Sequence, residues 1–172
     1  MCYFLYLASP LTLSEVRSML PPGLTADLAT FSDQQTLKSV HPEAQTVARI
    51  LAGRCSCSLV RERLADGRAD ERHLRERYRS LGISRTAMIT ALERHRRGSA
   101  PRPPKEGWPV ALSKFVAEHA RNAGPSLYLL HFAAADSGLL PSSAATPSEC
   151  SPGHVRGAPD RWLAEGEPVL VG

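Results

Sequence analysis

The chain has 172 residues, 42% of them apolar, enough for one domain with a substantial core. Its longest apolar candidate, residues 3–7, is broken by Ser9 and Pro10. It falls far short of the ~20 residues of a membrane span and lacks the basic lead-in of a signal peptide, so the expectation is a cytoplasmic protein without a membrane partner.

Residues 2–8 are rich in Tyr, Phe and Leu and too short for a helix, which predicts a buried strand. Thr12 and Glu15 have the spacing of a capping box. They open a helix with Leu13, Val16, Met19 and Leu20 on one face, stopped at Pro21-Pro22-Gly23. Residues 24–30 and 46–51 read as strands, with the polar "SDQQTLKSVHPEA" as a loop between them. From Asp70, the recurrence of Leu74, Tyr78 and Leu81 predicts a helix ended by Gly82. Ser84 then caps a helix carrying Ala87, Met88, Ala91 and Leu92 inward as far as Gly98.

The prolines of "SAPRPPKEG" make it a linker. Trp108 and Pro109 open a further helix with Leu112, Phe115, Val116 and His119 on one face, and residues 126–132 form the last strand. Beyond Ala133 the Ala/Ser/Pro/Gly composition predicts a mobile arm, because such a segment buries too little surface to offset its ordering entropy. The closing "RWLAEGEPVLVG" has enough apolar character to dock back as an edge strand. The expected architecture is an α+β domain over residues 1–132, a mixed sheet of about four strands covered by helices, followed by a low-complexity C-terminal arm over 133–172.

Four cysteines in a reducing compartment argue against a disulfide framework and leave metal binding, thiol redox chemistry or plain burial. Cys55 and Cys57 stand two apart in "ILAGRCSCSLV". On an extended backbone both thiols face one way and Ser56 the other. Two such thiolates can hold a soft cation, Zn or Cu(I), and a tetrahedral site needs two more ligands. Cys2 is the natural third. His131, in the last predicted strand, is the candidate fourth if the two apolar strands share a sheet. The competing reading is that free cysteines are simply small buried hydrophobes.

The net charge of +4 is uneven: residues 61–97 hold eleven arginines against six acids, a balance of +5. Such an excess is either a nucleic-acid footprint or a salt-bridged, solvated face. Within it, "HLRERYRSLGISRTAMITALERHRR" resembles a helix-turn-helix module with Gly82 as turn glycine, Ser84 as cap, and Arg85, Thr86, Thr90 and Arg94 facing outward. Tyr78 departs from that pattern, since a small residue normally packs there under the second helix. A plain helical hairpin on Leu74, Tyr78, Met88 and Leu92 is the alternative.

The opening Met-Cys-Tyr-Phe, the internal Cys-Ser-Cys and the later Tyr-Arg-Ser-Leu-Gly resemble those of small bacterial proteins of uncharacterised function. The resemblance implies no activity; it groups Cys2, Cys55 and Cys57 as one unit. Removal of Met1 from the Met-Cys start would give an N-terminal cysteine, the nucleophile arrangement of one class of hydrolases. No Gly-rich phosphate loop, Gly-x-Ser-x-Gly elbow or His-Glu-x-x-His pair is present. His119 reads as a satisfied core histidine, His95 as solvated among arginines, and Cys150 as an incidental thiol of the arm.

Overall fold

The computed structural model describes residues 2–60, 67–98, 108–133, 140, 146–159 and 161–172. They form two compact units, one drawn from residues 1–60 and 107–172, the other from 61–106. In chain order the first unit begins with β1 (Cys2–Ser9), α1 (Leu13–Met19), β2 (Thr25–Leu28), α2 (Phe31–Val40), β3 (Thr46–Leu51) and α3 (Cys57–Val60). The second unit holds α4 (Gly67–Ser80) and α5 (Arg85–Gly98). The chain then returns to the first unit with α6 (Trp108–Ala123), β4 (Ser126–Ala133), β5 (Ser148–Cys150), α7 (Pro152–Gly157) and β6 (Val169–Val171). No helix among the described residues is long and apolar enough to cross a membrane.

The class is α+β, as expected, but the mixed sheet has six strands, in the order β2-β3-β1-β4-β6-β5. The two apolar strands pair directly and antiparallel, with Leu5 opposite Leu130 and Phe4 opposite His131. On the other side β1 pairs with β3 from Leu5↔Ile50 to Ser9↔Thr46, so residues 2–4 extend past that pairing. Both faces of β1 are covered, which is why its apolar run is unbroken where a one-sided strand would alternate. Leu5, Leu7, Ile50, Tyr128 and Leu130 pack with Val116 and Phe115 of α6 on one face. Phe4, Tyr6, Ala8, Val47 and Leu129 pack with Leu37 of α2 on the other.

The capping box of α1 is formed: Glu15 N–H donates to Thr12 Oγ1 at 3.3 Å and Thr12 N–H to Glu15 Oε2 at 2.8 Å. The segment expected as a loop is instead α2, capped by the Thr30 hydroxyl. Its buried contacts are Leu37 and the carboxylate of Asp33. That carboxylate is fully buried and accepts from Tyr6 O–H at 3.1 Å and Leu140 N–H at 2.9 Å. A helix docked through one leucine and one acid carries no apolar periodicity to read.

The expected arm is also corrected where it is described. Ser151 caps α7 with Pro152 in its first turn, Val155 is fully buried, and β5 and β6 extend the sheet. The C-terminal strand docks, yet it lies between β4 and β5 and leaves β5 at the edge. Residues 134–139 and 141–145 lie outside the described residues, as does the proline-rich linker at 99–107.

In the second unit, Leu74, Tyr78 and Leu92 are buried. Gly82 takes φ +66° and ends α4 with two backbone bonds, Ile83 N–H to Tyr78 O and Gly82 N–H to Arg79 O. This is the double bond of a Schellman stop. Ser84 then caps α5 through Ala87 N–H at 3.3 Å.

Candidate metal centre

Past Leu51 the chain needs a neighbour for the overhanging start of β1, and residues 52–57 supply it. Ala52 N–H donates to Cys55 O at 2.9 Å around a turn at Gly53, whose φ of +83° suits a residue without Cβ. Ser56, fully buried, then clamps the turn to both neighbouring strands. Its N–H donates to Tyr3 O at 2.8 Å, its hydroxyl donates to Ile50 O at 2.6 Å, and its oxygen accepts from Leu5 N–H at 2.8 Å. Cys57 opens α3, and its Sγ accepts from Tyr3 N–H at 3.3 Å.

The clamp brings three sulfurs together: Cys2, Cys55 and Cys57, all free and partly buried, have Sγ atoms within 4.8 Å of one another. The expected extended Cys-x-Cys is corrected, because the two thiols meet through a turn and a helix start. Ser56 is a functional residue that strand alternation points away from the thiols; a buried serine between two cysteines has no distinctive pattern in the sequence.

Two bonds of ~2.3 Å at a tetrahedral metal separate their sulfurs by ~3.8 Å. The observed spacing therefore lies within about 1 Å of coordination geometry, which side-chain rotation can close. Burial pushes the Cys57 thiol up to about 12, opposed by the Tyr3 N–H bond and reinforced by the other two thiols. Burial also raises Cys2, with Cys55 as the next cause. Raised thiols are weak nucleophiles, and a coordinated metal deprotonates them outright.

His131 lies on the same sheet face as Cys2, opposite Phe4 and half-buried. It is not part of the convergent set. Cys150 stands on edge strand β5, in an open cleft with His154 and Arg161, and it too is outside the set. Arg85, Thr86 and Thr90 are exposed on the first turns of α5, and Arg94 lies further along the same helix. His119 is a satisfied core histidine: Nε2 is 2.9 Å from Ser9 Oγ and Nδ1 is 2.9 Å from Tyr128 Oη, all three residues fully buried.

No protein-family model, curated protein or solved structure matches the chain.

Proposed function

We propose that the protein binds one soft metal ion through Cys2, Cys55 and Cys57. The observation that carries this reading is the convergence of three reduced sulfurs from two separate segments, residues 2 and 55–57. Soft thiolate donors select Cu(I) and Zn(II) among the available cations. Three sulfurs satisfy Cu(I), which accepts trigonal coordination. Zn(II) takes the same three and a fourth ligand, for which a small exogenous donor serves. The Tyr3 N–H that points at Cys57 Sγ stabilises the thiolate in the loaded state. A reducing compartment such as the cytoplasm keeps the thiols available.

Thiol redox chemistry is favoured by a lowered thiol pKa, whereas burial raises the thiols of Cys2 and Cys57, which supports the metal reading over it.

The test is an anaerobic titration of reduced protein with Cu(I), and separately with Zn(II), each against a chromophoric chelator. One equivalent should be withdrawn from the chelator by the native protein, and Cys57→Ser should lose at least tenfold in affinity while keeping its circular dichroism. Equal metal uptake by the native chain and a Cys2/Cys55/Cys57 triple serine variant would refute the proposal.

A further inference from the structure

We infer that α5 is a duplex-DNA-binding helix, seated in the major groove and held there by phosphate contacts from α4 and α5. This inference is independent of the thiol site. Three observations converge on it.

The first is charge. Within 67–98 there are nine arginines (68, 72, 75, 77, 79, 85, 94, 96, 97) and four acids (70, 71, 76, 93), a balance of +5. The whole chain carries +4, so these two helices hold the entire surplus. The second is presentation. Leu92 faces the interior and Met88 and Ala91 are half-buried, while Arg85, Thr86, Ile89 and Thr90 are exposed on one face of α5. Arginine donors, threonine hydroxyls and an aliphatic group are the side chains that read base edges and thymine methyls. The third is the entry to the helix. The Gly82 stop and the Ser84 cap fix where α5 begins, so its first turn is a defined surface rather than a frayed end.

Fourteen residues of helix rise ~21 Å, and the major groove of B-form DNA, ~12 Å wide, admits an α-helix. The major groove of double-stranded RNA is too narrow for side chains to read, which selects DNA as the occupant. A protein partner would ask for a continuous apolar patch; Ile89 and Leu81 are exposed at 48% and 59%, with the exposed polar residues Ser84, Arg85 and Thr86 between them in the chain.

The experiment is fluorescence anisotropy of the full chain with a labelled 24-base-pair duplex of mixed sequence, over ~50 to 200 mM salt. If about five phosphates are neutralised, the affinity should fall by about two orders of magnitude or more across that range, because each contact releases counterions. Arg79→Ala and Arg85→Ala should each weaken binding and flatten the salt slope by about one. Arg156→Ala, an equal charge change on α7 in the first unit, should leave both unchanged. Circular dichroism checks that each variant keeps its helices. Absence of binding at 50 mM salt, an unchanged slope in both α4 and α5 variants, or equal affinity for a double-stranded RNA of the same length would each overturn the inference.

Discussion

Acidification should weaken the fold through His119. Its imidazole is fully buried between Ser9 and Tyr128, and burial lowers its pKa from 6.5 to about 4. The neutral ring suits this site, because one nitrogen donates and the other accepts, and both hydroxyls can serve either role. Between pH 6.5 and 4 the unfolded chain carries a proton on this histidine and the folded chain does not. Stability therefore rises with pH in that window, is complete above about 6.5, and is lost as pH falls toward 4. A depression of 2.5 units corresponds to about 3 kcal/mol, of which about 2.5 kcal/mol is gone by pH 4.5. The assay is urea denaturation at several pH values for the native chain and for His119→Gln, which starts less stable but lacks the titrating group. The stability gap between them should shrink by roughly 2.5 kcal/mol from pH 7 to pH 4.5. In parallel, the His119 ring signals in NMR should hold steady until pH falls below about 5. A constant gap, or a His119 titration centred near 6.5, would refute the reasoning.

Three further substitutions test the supports of the fold. Ser56→Ala leaves a buried N–H and a buried carbonyl without their hydroxyl partner, so chemical denaturation should show a loss of about 2–3 kcal/mol; metal affinity should drop as well, although no metal ligand has been touched. Thr12→Ala removes the α1 cap and should cost about 1 kcal/mol in the same assay, with metal uptake unchanged. Gly82→Ala places a Cβ on a residue at φ +66° with open space around it, so the cost is backbone strain alone, about 1 kcal/mol, visible in urea as weakened helix signal.

Strands β1, β2, β3 and β4 and helices α1, α4, α5 and α6 are legible because each shows a local signal: an unbroken aromatic and aliphatic run, an apolar-polar alternation, a cap at fixed spacing, or an apolar stripe at helical period. What the sequence concealed was tertiary. Helix α2 owes its place to Asp33 bonding Tyr6 and the backbone of Leu140, a contact 107 residues distant in the chain. The C-terminal region averages to low complexity, yet Val155, Trp162, Leu163, Val169 and Val171 are spaced to reach one core, and all are buried. Composition taken over a long window erases sparse anchors of this kind, whereas the Ser151-Pro152 helix start was a local signal available to a residue-by-residue reading.

The three thiols converge as strand alternation predicts, but not for the reason it gives. Alternation along a strand places residues i and i+2 on one face, but Cys55 and Cys57 belong to a bridge and a helix start, where alternation has no force. Their sulfurs meet because β1 overhangs β3 by three residues, and the backbone N–H and C=O groups on that side of its first half take partners from residues 56–57. Ser56 and Cys57 satisfy them, at Tyr3 and Leu5. Pairing with β4 already fixes Cys2 at the start of β1. The backbone bonds that complete the sheet are thus the bonds that assemble the thiols, and the cluster is held by the fold before any metal arrives. The proposed metal site and three incidental hydrophobes differ in what substitution does: cysteines serving only as filler could be exchanged for alanine at the cost of packing, whereas ligands so exchanged should also abolish a stoichiometric metal equivalent, and loosening Ser56 should weaken that equivalent from outside the ligand set.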